Sequence, residues 1–221
     1  MNITIKSNIL KYIFHNIYFI NGTAYAGKST MVKMLAEKYD GICCHENYHD
    51  IFMSAIDAES QPNLSYFNTM KDWQEFVNRT PEEYERWIAG CSEEASDLEI
   101  IRLIQLADCG KRIFVDTNIS TKKLKEISDF HHVAIMLAPQ SMSIERFFDR
   151  EDEEKLFILE QIQKAENPEQ TMKNYRECLA RINSEEKYHE FEESGFFTLL
   201  RDDKRTLEQT LEILERHFNL E

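Results

Sequence analysis

Short apolar runs alternate along the chain with longer segments whose apolar residues recur every three or four positions. The runs predict five strands, at Ile17–Ile20, Ile42–His45, Ile113–Val115, His132–Leu137 and Phe196–Leu200. The longer segments predict the helices that separate these strands. Strands that alternate with helices are typical of an α/β protein with a parallel sheet, so we expect one α/β domain over residues 1–221.

Residues 47–110 separate the second strand from the third and show the periodicity of helices. The segment Thr80–Glu83 has a capping box with proline at the first helical position, which predicts a helix start. We expect that helix to end at Gly90, and a second helix, capped by Ser92, to stop at Gly110. The region is therefore predicted to be a helical insertion in the sheet domain.

A charged helical pattern follows the fourth strand, from Ile144 to Ala165, and Asn167–Pro168 breaks it. A second helix is predicted from Glu169 to Phe191. After the fifth strand, the capping box Thr206–Gln209 predicts a closing helix with its apolar residues on one side.

The segment between the first strand and the first helix matches the pattern G-x-x-x-x-G-K-[ST] without a mismatch. Its glycines adopt backbone conformations closed to other residues and let backbone N–H groups converge on phosphate oxygens. Lys28 is then expected to reach the β- and γ-phosphates, and Ser29 to bind Mg²⁺. We expect a nucleoside triphosphate to contact nine consecutive residues, Gly22, Thr23, Ala24, Tyr25, Ala26, Gly27, Lys28, Ser29 and Thr30.

The chain lacks the signature motifs of two other classes of nucleotide-binding protein. The D-x-x-G and N-K-x-D motifs of GTPases and the LSGGQ-like signature of transport ATPases occur nowhere in the chain. The sequence resembles the nucleotide- and nucleoside-kinase superfamily, which includes adenylate kinase-like, shikimate kinase-like and deoxynucleoside kinase-like enzymes. The resemblance implies a P-loop NTPase fold with five parallel strands in the order 2-3-1-4-5. It also implies transfer of phosphate from ATP, with Mg²⁺, to a small acceptor held between residues 47–110 and a lid at about 145–170.

The resemblance assigns roles to two carboxylates at strand ends. Glu46 follows the second strand, where these kinases use a carboxylate to orient or deprotonate the acceptor hydroxyl. Asp116 ends the third strand and resembles the Walker B carboxylate, which would bind Mg²⁺ together with Ser29. Asp116 could instead contact the acceptor or cap the next helix, and Glu46 could be a solvated residue at a strand end.

Arg146 and Arg150 lie four residues apart, on one face of the helix predicted after the fourth strand. In similar kinases, arginines at this spacing begin the lid and clamp the transferring phosphoryl group, which a guanidinium fork suits. Salt bridges with acidic neighbours on the same helix are the alternative. The candidate catalytic residues are therefore Lys28, Glu46, Asp116, Arg146 and Arg150.

The chain departs from the named subfamilies at the acceptor site. It reads Asp116–Ser120 where nucleotide-monophosphate kinases have D-G-[FY]-P-R, and it lacks the G-G-G run of shikimate kinases. A nucleoside or nucleotide is the leading acceptor, and an antibiotic or a sugar nucleotide is the alternative. The chain could also be a regulatory protein that binds ATP without transferring its phosphate. Four residues of the insertion could form an aromatic and basic acceptor pocket: Tyr48, Trp73, Arg86 and Trp87. Alternatively, Trp87 could belong to an apolar helix face buried in the core.

Charge and cysteine content limit which partners and which cellular compartment we expect for the chain. Acidic residues outnumber basic ones by 40 to 26, for a formal net charge of −14, which argues against general nucleic-acid binding. No apolar stretch reaches the length of a membrane span, so no membrane partner is expected. The five cysteines form no CxxC pair, which favours free thiols in the cytoplasm. None of these features predicts the oligomeric state.

Overall fold

The computed structural model describes residues 5–139, 142, 147, 153–202 and 204–220. Its five strands are β1 (Ile17–Gly22), β2 (Ile42–Cys44), β3 (Ile113–Asp116), β4 (Val133–Leu137) and β5 (Phe197–Leu200). All neighbouring strands are parallel, and they form one sheet in the order β2-β3-β1-β4-β5. The predicted α/β class and strand order are confirmed.

The helices connect the strands and build the insertion. Before the third strand they are α1 (Ser7–Ile13), α2 (Lys28–Lys38), α3 (Tyr66–Thr69), α4 (Trp73–Val77) and α5 (Pro81–Ala107). After it they are α6 (Thr121–Ile127), α7 (Glu153–Gln163), α8 (Pro168–Ile182), α9 (Glu185–Glu192) and α10 (Leu207–Phe218). No helix in these described ranges is long and apolar enough to cross a membrane.

Side chains of alternate strand residues point to opposite faces of the sheet and enter two separate cores. On one face, Ile20 and Met136 pack against Leu35 of α2 and Phe218 of α10. The other face is covered by α1, α5 and α6, and Leu103 of α5 is fully buried there. Both faces are covered, and for that reason the central strands read as unbroken apolar runs in the sequence.

The prediction that Gly90 ends a helix is wrong. Helix α5 runs without a break from Pro81 to Ala107, so Ser92 lies inside it and caps nothing. A Cβ at Gly90 would lie 2.3 Å from Nδ2 of Asn63, so that side chain would have to move to make room for it. The predicted start is confirmed, since Thr80 forms the capping box and Pro81 is the first helical residue.

The region predicted as one helix from Glu169 to Phe191 is two helices. Helix α8 ends at Ile182, and Ser184 starts α9 by accepting a hydrogen bond from the backbone N–H of Lys187. The predicted break before α8 is confirmed, because Asn167 is its N-cap. Of the helix predicted from Ile144, the structure describes Glu153–Gln163; the candidates Arg146 and Arg150 lie outside the described residues.

A third core joins the insertion to α8, away from the sheet. Tyr84 of α5 lies against Tyr175 of α8, with ring centroids 5.6 Å apart. At the edge of this contact, the Arg181 guanidinium pairs with the carboxylates of Glu82 and Glu85 at 2.6 Å and 2.5 Å. The insertion and α8 therefore form one helical layer beside the sheet.

Candidate functional site

The segment Gly22–Ser29, called the glycine loop below, connects the central strand β1 to α2. Gly22 has a φ of 128°, and a Cβ there would lie 1.9 Å from the backbone oxygen of Met136. Gly27, the residue before α2, has a φ of 91°. Both conformations favour glycine, and at Gly22 the close approach of β4 also excludes any side chain.

Asn21, the residue before the glycine loop, is buried and ties its start to the segment after β3. Its Oδ1 accepts a hydrogen bond from the Gly22 N–H at 2.5 Å, and its Nδ2 donates to the Ile119 oxygen at 2.6 Å. The first glycine is therefore held from the side of β3 by an amide that uses both of its polar groups.

Thr23 and Tyr25 tie the glycine loop to the strands on its other side. The Thr23 N–H donates to the Met136 oxygen at 3.0 Å, and the Thr23 hydroxyl accepts from the Ala138 N–H at 2.7 Å. The guanidinium of Arg201, which follows β5, donates to the Tyr25 oxygen at 2.6 Å. Contacts from β4 and from the segments that follow β3, β4 and β5 thus position the loop at the carboxyl edge of the sheet, where parallel sheets bind ligands.

Lys28, Ser29 and Asp116 converge at the start of α2. The Ser29 hydroxyl donates to Oδ2 of Asp116 at 2.6 Å, and Lys28 Nζ lies 3.9 Å from Oδ1 of the same carboxylate. Lys28 also donates to the Thr23 oxygen at 3.2 Å, so its ammonium group lies against its own loop. Asp116 is only 2% exposed. The carboxylate and the hydroxyl predicted to share a metal are therefore in direct contact.

Among the residues that the structure describes, no group of three or more His, Cys, Asp or Glu side chains is arranged to hold a metal ion. Mg²⁺ prefers octahedral oxygen coordination and usually keeps several waters, binding through one or two protein groups and substrate phosphates. Ser29 and Asp116 fit such a site and not a cage made of protein ligands alone.

A cavity of about 470 Å³ opens beside the glycine loop. Lys28 and Ser29 line it on one side, and Glu46, from the end of β2, lines it on another. The structure therefore brings Glu46 into the same cavity as the two loop residues. Helices α7 and α8 supply further lining residues, with Phe147 between β4 and α7: Phe147, Lys155, Leu179, Ile182 and Asn183.

Three polar residues of this cavity were missed by the sequence analysis. Asn118 lies two residues after Asp116 at the same strand end, so the strand-end argument could have found it. Lys155 lies in α7 and Asn183 directly after α8, and neither carries a local signal. Lys155 Nζ lies 5.9 Å from the Tyr25 ring centroid and 5.3 Å from that of Phe147, which brings a second cation over the loop.

Glu99 of α5 is fully buried and bonds to two residues that lie close in sequence to cavity-lining residues. Its Oε2 accepts hydrogen bonds from the Tyr48 hydroxyl at 2.9 Å and from the Thr117 hydroxyl at 2.6 Å. Burial, followed by the charge of Glu99, raises the pKa of Tyr48, so the phenol keeps the proton that it donates. Since Glu46 is two residues from Tyr48, Glu99 holds the Glu46 segment and the end of β3 together.

A second cavity, of about 280 Å³, lies on the other side of the glycine loop. Gly27 lines it from the loop and Thr30 from α2, and Met31 and Met136 supply apolar surface. The segment that follows β5 adds charged groups: Arg201, Asp202 and Arg205. The glycine loop therefore separates two cavities, one facing Glu46 and one facing the end of β5.

The acceptor pocket suggested from four residues of the insertion does not form as one unit. The Tyr48 hydroxyl is bonded to Glu99, and the Trp73 ring stacks on Phe67 with centroids 5.2 Å apart. Arg86 and Trp87 do line one cavity together, but a different one from that of the glycine loop.

The chain matches no known family model, and no curated protein matches it. Its function is therefore inferred from the residues and the site alone.

Proposed function

We propose that the chain is a phosphotransferase of the P-loop type, which uses ATP and Mg²⁺ to phosphorylate a small molecule, with nucleosides and nucleotides as the leading acceptors. The observation that supports this most strongly is the single cavity of about 470 Å³ that Lys28, Ser29 and Glu46 share. A phosphate-binding loop and a carboxylate able to face an acceptor hydroxyl are the two halves of a transfer site.

In this proposal the triphosphate lies along the glycine loop at the N-terminus of α2. Backbone N–H groups and the helix dipole favour phosphate there, and Lys28 exchanges its bond to the Thr23 oxygen for the β- and γ-phosphates. The nucleotide base enters the cavity of about 280 Å³ between Met136 and the segment after β5. That cavity offers apolar surface for a ring and polar groups at its edge.

Ser29 and Asp116 would hold Mg²⁺ in this site, directly or through water. In the structure, the Ser29 hydroxyl donates a hydrogen bond to Asp116 at 2.6 Å. When bound, Mg²⁺ would supply positive charge between the β- and γ-phosphate groups. Lys28 adds charge from the loop, and Lys155 adds it from α7.

The transfer requires an acceptor hydroxyl in line with the γ-phosphorus. Glu46 orients that hydroxyl and takes its proton as the new bond to phosphorus forms and the bond to the ADP oxygen breaks. Asn118 and Asn183 line the same cavity and offer amide groups for binding the rest of the acceptor. Arg146 and Arg150 keep their proposed role as a clamp on the transferring group.

The proposal also includes a location for the chain, the cytoplasm. All five cysteines, each within the described residues, are free, and burial raises the pKa of Cys44 to about 12 and that of Cys91 to about 12. Unpaired, largely protonated thiols suit a reducing environment, so we extend the proposal to the cytoplasm.

A panel of acceptors incubated with ATP and Mg²⁺ tests the proposed function. Nucleosides, nucleoside monophosphates, sugar nucleotides and antibiotics are each assayed for ADP release and for a phosphorylated product. Glu46→Gln should reduce transfer by about 10²–10⁴-fold with little change in ATP affinity. The matched control is Glu37→Gln, at an exposed position on α2 paired with Lys33, and it should transfer at the parent rate.

Two outcomes would contradict the proposal. Tight ATP binding without phosphorylation of any acceptor would indicate a regulatory nucleotide-binding protein. Equal transfer by Glu46→Gln and by the parent would remove Glu46 from the mechanism and leave the nucleotide site intact.

A further inference from the structure

The guanidinium of Arg79, between α4 and α5, lies inside a group of aromatic rings. Its central carbon is 3.6 Å from the ring centroid of Tyr66, 5.2 Å from that of Trp87 and 5.6 Å from that of Phe76. Such a cation–π arrangement holds the planar group in one orientation. The rings of the insertion therefore fix a positive charge at the surface of the helical layer.

No carboxylate among the described residues forms a salt bridge with Arg79, and its Nη1 is buried without a hydrogen-bond acceptor. This is unusual in a chain with 40 acidic residues. Glu75 and Glu83 lie nearby, but both are in use. Glu75 accepts from the Tyr66 hydroxyl at 2.8 Å, and Glu83 accepts from the backbone N–H that caps α5 at 2.9 Å.

Arg79 lines a cavity of about 400 Å³, called the Arg79 pocket below. Arg86, one of its lining residues, makes only a 3.4 Å bond from Nε to the Glu82 oxygen and no salt bridge with a described residue. Two amides also line the pocket, but their N–H groups bond within the protein, from Asn63 to Glu94 and from Asn78 to Gln74. Arg79 and Arg86 thus bring to the pocket two guanidinium groups that form no salt bridge with a described residue.

The Arg79 pocket shares no lining residue with either cavity of the glycine loop. A ligand in it would not contact Lys28, Ser29 or Glu46. It is a separate place for a ligand, and an argument about it is independent of the proposed phosphotransfer.

We propose that the Arg79 pocket binds a small aromatic carboxylate. The carboxylate pairs with the guanidinium groups of Arg79 and Arg86, whose fork of N–H donors matches its two oxygens. The ring of the ligand packs against Tyr66 and Trp87. Since Glu75 and Glu83 also line the pocket, a dianionic phosphate would meet more repulsion than a monoanion, and this selects the carboxylate.

Calorimetric titration of the full chain with benzoate tests the site, with benzamide as the uncharged probe and phenyl phosphate as the dianionic one. Benzoate should bind at one saturable site and more tightly than the other two. Arg79→Gln should weaken benzoate binding about tenfold to a hundredfold, the effect of losing a charged hydrogen bond. Arg79→Lys should recover little of it, because a point charge replaces the fork.

The matched control is Arg216→Gln, which removes the same charge from an exposed position on α10 paired with Glu212. It should bind benzoate like the parent. ATP binding should be unchanged in Arg79→Gln, which separates this proposal from that of the phosphotransferase. If Arg79→Gln does not fold, as judged by circular dichroism, Arg86→Gln carries the test with the same predicted loss.

Three outcomes would overturn the inference. The first is that benzoate shows no saturable binding, and the second is that the folded arginine variants bind it as tightly as the parent. The third is that benzamide or phenyl phosphate binds as well as benzoate, which would make the pocket apolar or phosphate-binding and remove the selection for a carboxylate.

Discussion

The glycine loop and the Arg79 pocket are built in opposite ways. The glycine loop is eight consecutive residues shaped by two positive-φ glycines. Hydrogen bonds to the segments that follow β3, β4 and β5 hold it and the preceding Asn21. The Arg79 pocket draws on side chains from the loop before α3, from α3 and α4 and from the start of α5, and aromatic rings hold its central cation. A site made by one segment depends on backbone geometry, whereas a site made by several helices depends on packing and caps.

The two regions also treat positive charge differently. Lys28 lies 3.9 Å from Asp116, so a carboxylate of the protein partly neutralises it. Arg79 has aromatic faces around it and no carboxylate partner among the described residues. Mutations in the two regions should accordingly differ in size and in kind.

The largest effect is expected at the first glycine. Gly22→Ala would place a Cβ 1.9 Å from the Met136 oxygen at a φ of 128°, and we expect a loss of about 3 kcal/mol or more in the free energy of unfolding. Gly110→Ala is the control, because Gly110 also has a positive φ, 72°, but open space around it. It should cost about 1 kcal/mol. Urea denaturation measures both, and equal losses would show that the contact with β4 does not shape the loop.

A smaller effect is expected at Glu99, behind the wall of the glycine-loop cavity. Glu99→Ala removes the acceptor of the Tyr48 and Thr117 hydroxyls, and we expect a loss of about 2 kcal/mol in unfolding free energy. Glu99→Gln keeps an oxygen that accepts both bonds and should lose less than half as much. The same urea experiment compares them. If both variants are as stable as the parent, Glu99 does not hold the Glu46 segment.

The smallest effect is expected in the insertion. Thr80→Ala removes the N-cap of α5 and should lower the unfolding free energy by about 1 kcal/mol. Thr206→Ala removes the equivalent capping box of α10 and should destabilise the chain by a similar amount. Only Thr80→Ala should also weaken benzoate binding, because Thr80 adjoins Arg79. Equal benzoate affinity in the two variants would contradict a pocket that depends on the start of α5.

The sheet and the glycine loop were predictable because their signals are local. The five apolar runs correspond to the five strands, and the motif located the positive-φ glycines Gly22 and Gly27. Asp116 came from the resemblance to kinases, and its hydrogen bond from Ser29 was not predicted. The strand order came from the resemblance to kinases and not from periodicity. It is confirmed as an arrangement of strands.

The helical layer was less predictable because distant residues decide it. Gly90 resembles a helix end in the sequence, but it lies inside α5, where the side chain of the distant Asn63 packs against it. The break before α9 depends on Ser184, whose capping role the charged periodicity around it conceals. The buried bonds of Glu99 join residues 51 and 18 positions away, which no motif encodes. Such contacts override local propensity.

Calorimetric titration of ATP with Mg²⁺ into the parent and into Lys28→Met tests the central claim, that the glycine loop binds a nucleoside triphosphate, most directly. Lys33→Met is the matched control, since Lys33 is exposed on the same helix and pairs with Glu37. The account predicts one site in the parent and in Lys33→Met, and an affinity about tenfold or more weaker in Lys28→Met. The absence of ATP binding in the parent, or equal affinity in all three proteins, would contradict it.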